Sequence, residues 1–115
     1  MQALGNCYEA AAQFVMDECM FGGDCPYTIV HAEVAGQGQL EGTSFGHAYV
    51  VDENSGNVID RSNGRNVVMP RAIYEAIGAI KQIGNYHEYT WKVARLKMVE
   101  HEHYGPWDLE TSTGL

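Results

Sequence analysis

Apolar residues near the start of the chain recur with the spacing of a helix. Tyr8, Ala11, Ala12, Val15 and Cys19 fall on one stripe, which predicts a helix over Asn6 to Met20. Asn6 stands where an N-cap belongs, and Glu9 three residues later comes close to a capping box. Phe21-Gly22-Gly23-Asp24-Cys25-Pro26 then stops the pattern with paired glycines and a proline. From Tyr27 to Val34, β-branched and aromatic residues predict a strand. The polar, glycine-bearing stretch Gly36 to Gly42 reads as a turn, and Phe45 to Asp52 as a second strand. Glu53-Asn54-Ser55-Gly56 has the composition of a hairpin turn, and Asn57 to Asp60 that of a short third strand. Arg61 to Arg65 forms a polar loop, and Pro70 suits the first turn of a helix running to about Ile80. Alternation predicts a fourth strand over Tyr86 to Leu96, and Lys97 to Leu115 reads as an irregular tail.

That order, a helix, then antiparallel strands, with a second helix before the last strand, belongs to the α+β class, with helices packed on an antiparallel sheet. The 115 residues fit one domain spanning 1–115, with no internal repeat or linker. Composition changes the picture mainly through charge. Fifteen acidic residues stand against 7 basic ones, for a formal charge of -8. Such a chain lacks the basic face that nucleic acid or anionic lipid requires, so neither is expected as a partner. No apolar run is long enough to span a membrane, and the N-terminal residues do not have the pattern of an export signal. The expectation is a cytoplasmic protein with 3 reduced cysteines rather than a disulfide framework. Cys19, on the apolar stripe, reads as core, and Cys25, beside Pro26, as buried or simply exposed.

Cys7 is different, because it opens a helix. There the unsatisfied N–H groups and the helix dipole favour an anion, and so a thiolate. His47 lies within Gly46-His47-Ala48-Tyr49-Val50, and Asp60 ends the next strand across a hairpin turn. Paired strands can bring Asp60 close to His47. A nucleophile, a base and a carboxylate that orients the base make a workable catalytic set.

On these residues the chain resembles a known family. Gly5-Asn6-Cys7-Tyr8 opening an alanine-rich helix, then Gly46-His47-Ala48-Tyr49-Val50, then Val58-Ile59-Asp60, look like a minimal papain-like cysteine peptidase. The resemblance covers residues 2 to 60 by motif and the remainder by element order. It implies that Cys7 is the nucleophile, His47 the general base and Asp60 the residue that orients the imidazole. It also implies an oxyanion-binding amide upstream of the cysteine, with Gln2 and Asn6 as the candidates. Compact versions of this kind resemble those of bacterial and phage genomes. The implied activity is attack on an amide or isopeptide carbonyl of a peptide, a protein or a small amide-bearing substrate, with no cofactor.

Other readings stay open beside this one. With an amine in place of water the same set is a transamidase, and with a glutamine side chain as substrate it is a deamidase. A small conjugate of an amino acid or nucleotide is a further substrate class, suggested by Arg61 and Arg65 after Asp60. A reading from a different class is a binding or inhibitor module of phage origin whose acidic surface engages a basic partner. His101-Glu102-His103 is the densest histidine cluster, but no cysteine pair has zinc-type spacing, and no metal is expected. Tyr104-Gly105-Pro106-Trp107 reads as a cap over the sheet edge, Tyr49 and Trp91 as core, and Arg61, Asn63 and Arg65 as a solvated loop. Oligomeric state is not readable from the sequence.

Overall fold

The structure, a computed structural model, describes residues 6–20, 24–36, 39 and 41–110. It is an α+β fold with a five-stranded sheet. Helix α1 (Cys7–Glu18) comes first, followed by β1 (Tyr27–Ala35), β2 (Ser44–Asp52) and β3 (Asn57–Asp60). A 3-10 turn (Ser62–Gly64), β4 (Val67–Pro70), α2 (Arg71–Ile77), β5 (Tyr86–Thr90) and α3 (Trp91–His101) complete the order. The strands lie in the order β4-β3-β2-β1-β5 and every neighbouring pair is antiparallel. Gly56, at φ +78°, closes the β2–β3 turn and donates its N–H to the Asp52 carbonyl at 2.8 Å. A glycine takes that backbone conformation without strain.

Alternation along the strands divides the interior in two. Ile29, Ala48 and Val50 pack with Tyr8, Ala11 and Val15 of α1, together with Trp91 and Ala94 of α3. Val30, Ala32, Tyr49, Val51 and Val58 face the other way, toward Ile80 and Tyr74. So α1 and α3 cover one face of the sheet and α2 the other. A buried polar cluster holds α2 in place. Glu75 accepts hydrogen bonds from Tyr49 Oη (3.0 Å), Arg71 Nε (3.0 Å) and Gln82 Nε2 (2.9 Å). Arg71 also reaches Tyr86 and Glu88 on β5.

Residues 103–109 return over the α1 face. Tyr104 and Trp107 pack against its core, and Tyr104 Oη accepts from Gln13 Nε2 at 3.0 Å. Beneath them lies His31, fully buried and ringed by Tyr8, Tyr89 and Trp107 at centroid distances of 4.8–4.9 Å. Burial lowers its pKa from 6.5 to about 3, so the ring is neutral. Gly105 is obligatory here, since a Cβ would come within 2.6 Å of the His31 ring.

Several sequence expectations need correction, among them the irregular tail from Lys97, whose residues as far as His101 belong to α3. The strand predicted over Tyr86 to Leu96 stops at Thr90, whose Oγ1 accepts from Val93 N and caps α3. Trp91 and Ala94 are buried, but on a helix. The helix expected to begin at Pro70 begins at Arg71. Pro70 instead ends an unforeseen edge strand, β4, where its missing N–H does no harm. Asn6 makes no side-chain cap; its Oδ1 is engaged by Asn63 N at 2.9 Å instead. Cys19 and Cys25 form a disulfide rather than staying reduced, because Cys25 comes within 5.7 Å (Cα–Cα) of the end of α1. Closing so short a loop stabilises the fold by about 2 kcal/mol in the chain-entropy picture. Reduction with dithiothreitol is therefore expected to lower the thermal midpoint by several degrees, and differential scanning calorimetry with and without reductant checks this.

Candidate active site

The sheet register brings two site residues together. Val50 pairs with Ile59, so Asp60 lies beside Tyr49 and diagonal to His47 on the face that carries both. His47 Nε2 meets Asp60 Oδ2 at 3.1 Å. The other partners of Asp60 are equally well placed. Tyr74 Oη donates to Oδ2 at 2.7 Å, while Ser62 N and Ser62 Oγ donate to Oδ1 at 2.9 and 2.6 Å. A buried carboxylate that accepts four hydrogen bonds is fixed in position and in charge.

Cys7 enters from the first turn of α1. The Asn6–Asn63 bond ties that turn to the loop directly after Asp60. The Cys7 side chain is hydrogen-bonded to His47, so the imidazole contacts both the sulfur and the carboxylate. Burial alone would depress the pKa of His47. The bonds to Asp60 and Cys7 outweigh burial and raise it from 6.5 to about 9. Burial would raise the pKa of Asp60, but His47 and Ser62 hold it well below the usual carboxylate range. Burial, then the charge of Asp60, pushes the Tyr74 phenol well above the ordinary tyrosine value. At neutral pH His47 therefore carries both ring protons and Asp60 none.

Access to the three residues is unequal. Cys7 keeps 3% of its surface and His47 8%. On the α1 side, Cys7 lines a seam with Phe14, Val50 and Ile59 that is too narrow for a water molecule. On the α2 side, a cleft of about 330 Å³ opens onto His47 and Asp60 but not onto Cys7. Its walls include Phe45, Met69, Tyr74 and Ile77, and Arg65 stands among them.

The structure thus joins Cys7, His47 and Asp60. Asn6 adjoins the site but spends its side-chain oxygen on Asn63. Gln2 lies outside the described residues. Arg61 stacks on Phe14, with its guanidinium carbon 4.9 Å from the ring centre. Sequence reasoning missed Ser62 and Tyr74. Ser62 carried a faint signal, two residues after Asp60, where a hydroxyl readily turns back to a carboxylate. Tyr74 carried none, since its contact depends on how α2 crosses the sheet. Among the described residues no group of three or more metal-ligating side chains exists, and no helix is long and apolar enough to cross a membrane. No protein-family model, curated protein or solved structure matches this chain.

Proposed function

We propose that the chain is a thiol-dependent hydrolase of compact papain-like type, acting on an amide or isopeptide carbonyl. One observation carries the reading: a buried imidazole hydrogen-bonded to both a helix-opening cysteine and a four-bonded carboxylate. With His47 protonated, Cys7 Sγ as thiolate attacks the carbonyl carbon. The C–S bond forms, and the developing oxyanion lies near the positive end of the α1 dipole. The C–N bond then breaks as the His47 proton passes to the leaving amine. The neutral imidazole next takes a proton from water, which attacks the thioester and releases the acid. Asp60 keeps the ring oriented throughout. An amine in place of that water makes the product a new amide, and a glutamine side chain as substrate makes the reaction a deamidation. The disulfide favours a compartment in which such bonds persist over the reducing cytoplasm.

The burial of Cys7 favours a second reading, a binding module that uses the same fold and its acidic surface. Iodoacetamide separates the two, because Cys7 is the one cysteine outside the disulfide. Under the enzyme reading Cys7 is alkylated in the folded, unreduced protein at about pH 6, and His47→Ala slows the reaction. A Cys7 that resists alkylation until the protein is denatured, in wild type and variant alike, would leave the binding module standing and the enzyme without a nucleophile.

A further inference from the structure

The cleft beneath α2 touches the proton donor of the reaction and not its nucleophile. His47 belongs to the α2 face of the sheet by alternation, whereas Cys7 belongs to the core under α1. A carbonyl attacked by Cys7 has its acyl part on the sulfur side. The group that receives the His47 proton is the departing amine, and it must lie on the imidazole side. We infer that the 330 Å³ cleft is the leaving-group subsite, built for an amine that carries an apolar side chain and a carboxylate, such as the apolar last residue of a peptide. This inference rests on the hydrolase reading above.

Three features select that amine. The volume suits a group of amino-acid size, at the lower end for ligand pockets. The walls are mostly apolar: Val34, Phe45, Met69 and Ile80 line them, and Ile77, 54% exposed, carries the apolar surface out to the rim. The cation of the cleft is Arg65, which is exposed and makes no salt bridge among the described residues. The two buried carboxylates, Asp60 and Glu75, are already occupied, by His47 and Arg71 respectively. A planar guanidinium at an apolar cleft matches a carboxylate bidentately. In the step itself, the amide C–N bond breaks, the His47 proton moves to nitrogen, and the amino acid departs into the cleft while its former acyl partner stays on Cys7 as a thioester. By microscopic reversibility, the same amino acid, added in its amine form, attacks that thioester from the cleft and regenerates the amide.

The test has two arms. In the first, Cys7→Ala protein is titrated with leucine, leucinamide and glycine while the methyl resonances of Val34, Met69 and Ile80 are followed by NMR. Leucine is expected to shift all three and glycine none. Arg65→Glu, an exposed change, should weaken leucine by about tenfold or more, a loss typical of a charge-assisted contact, and leave leucinamide unchanged. In the second, wild-type protein is acylated by p-nitrophenyl acetate and the acetyl-enzyme is partitioned between water and each amine. N-acetylleucine should form well ahead of N-acetylglycine, and Arg65→Glu should abolish that preference. If Cys7 is acylated but glycine and leucine trap the acetyl group equally, the subsite is overturned while the hydrolase stands. If leucine binds but Cys7 never acylates, the hydrolase reading falls, and the leaving-group role falls with it. If leucine shifts none of the three methyls, the cleft is not a site for this ligand.

Discussion

Asp60→Ala is expected to destabilise the protein by about 3–5 kcal/mol, the usual consequence of stripping one partner from a buried ion pair. The reason lies in the four bonds to its carboxylate. His47, Ser62 and Tyr74 all lose their acceptor at once at a site where the carboxylate is almost wholly buried. Urea unfolding at neutral pH measures the loss, and a change below 1 kcal/mol would show that the pair is not the buried network described. Asp60→Asn separates charge from shape, because it keeps an acceptor for His47 Nε2 but removes the negative charge. NMR titration should then find the His47 pKa well below the wild-type value of about 9. Linkage fixes the sign of the accompanying stability changes. The folded-state pKa of His47 is raised, so its contribution is complete below 6.5 and is lost as pH rises through about 9. The folded-state pKa of Asp60 is lowered, so its contribution is complete above the ordinary carboxylate value of 3.8 and fades as the solution becomes more acid. Wild type should therefore lose stability on both flanks, and Asp60→Asn should flatten both.

Removing the sulfur should have the largest effect on rate. In catalytic sets that act as a unit, loss of the nucleophile lowers turnover on the order of 10⁶-fold. Cys7→Ala is accordingly expected to abolish release of nitrophenolate from p-nitrophenyl acetate, while changing stability by only about 1 kcal/mol. On an amide substrate such as a p-nitroanilide, His47→Ala should fall nearly as far, since the proton for the leaving amine comes from that ring. In wild type the rate on that amide should also decline as pH rises through about 9, where His47 loses the proton it must donate to the amine. An unchanged rate in Cys7→Ala would assign the chemistry to some other group.

Much of the scaffold was legible because its periods are clean. Tyr8, Ala11 and Val15 keep the helical stripe of α1, and β1 to β3 are written in β-branched and aromatic residues. The segment from Tyr86 onward was ambiguous for a physical reason. Tyr89, Trp91 and Val93 alternate as in a strand, while Trp91, Ala94 and Met98 recur as in a helix. Thr90 decides between them only once its hydroxyl is seen to cap Val93. β4 was hidden because four residues ending in proline carry little strand signal. The disulfide was hidden because spacing says nothing about how far the chain returns. In the candidate site, Cys7 was singled out by its place at the start of a helix, and His47 and Asp60 by their places on successive strands. Tyr74 was not, because its contact with Asp60 is set by the path of α2 across the sheet rather than by any local pattern.

The stretch that seals His31 has a consequence for how the chain is made. Helix α1 leaves the ribosome before the sheet it packs on, yet one of its anchors, Tyr104, lies 91 residues beyond Gln13, and Trp107 and Leu109 complete the same core. The face behind the cysteine thus stays open to water until the segment through Leu109 has been synthesised. A nascent chain arrested before Tyr104 emerges should be cut readily by protease within α1, and one released a few residues past Leu109 should resist.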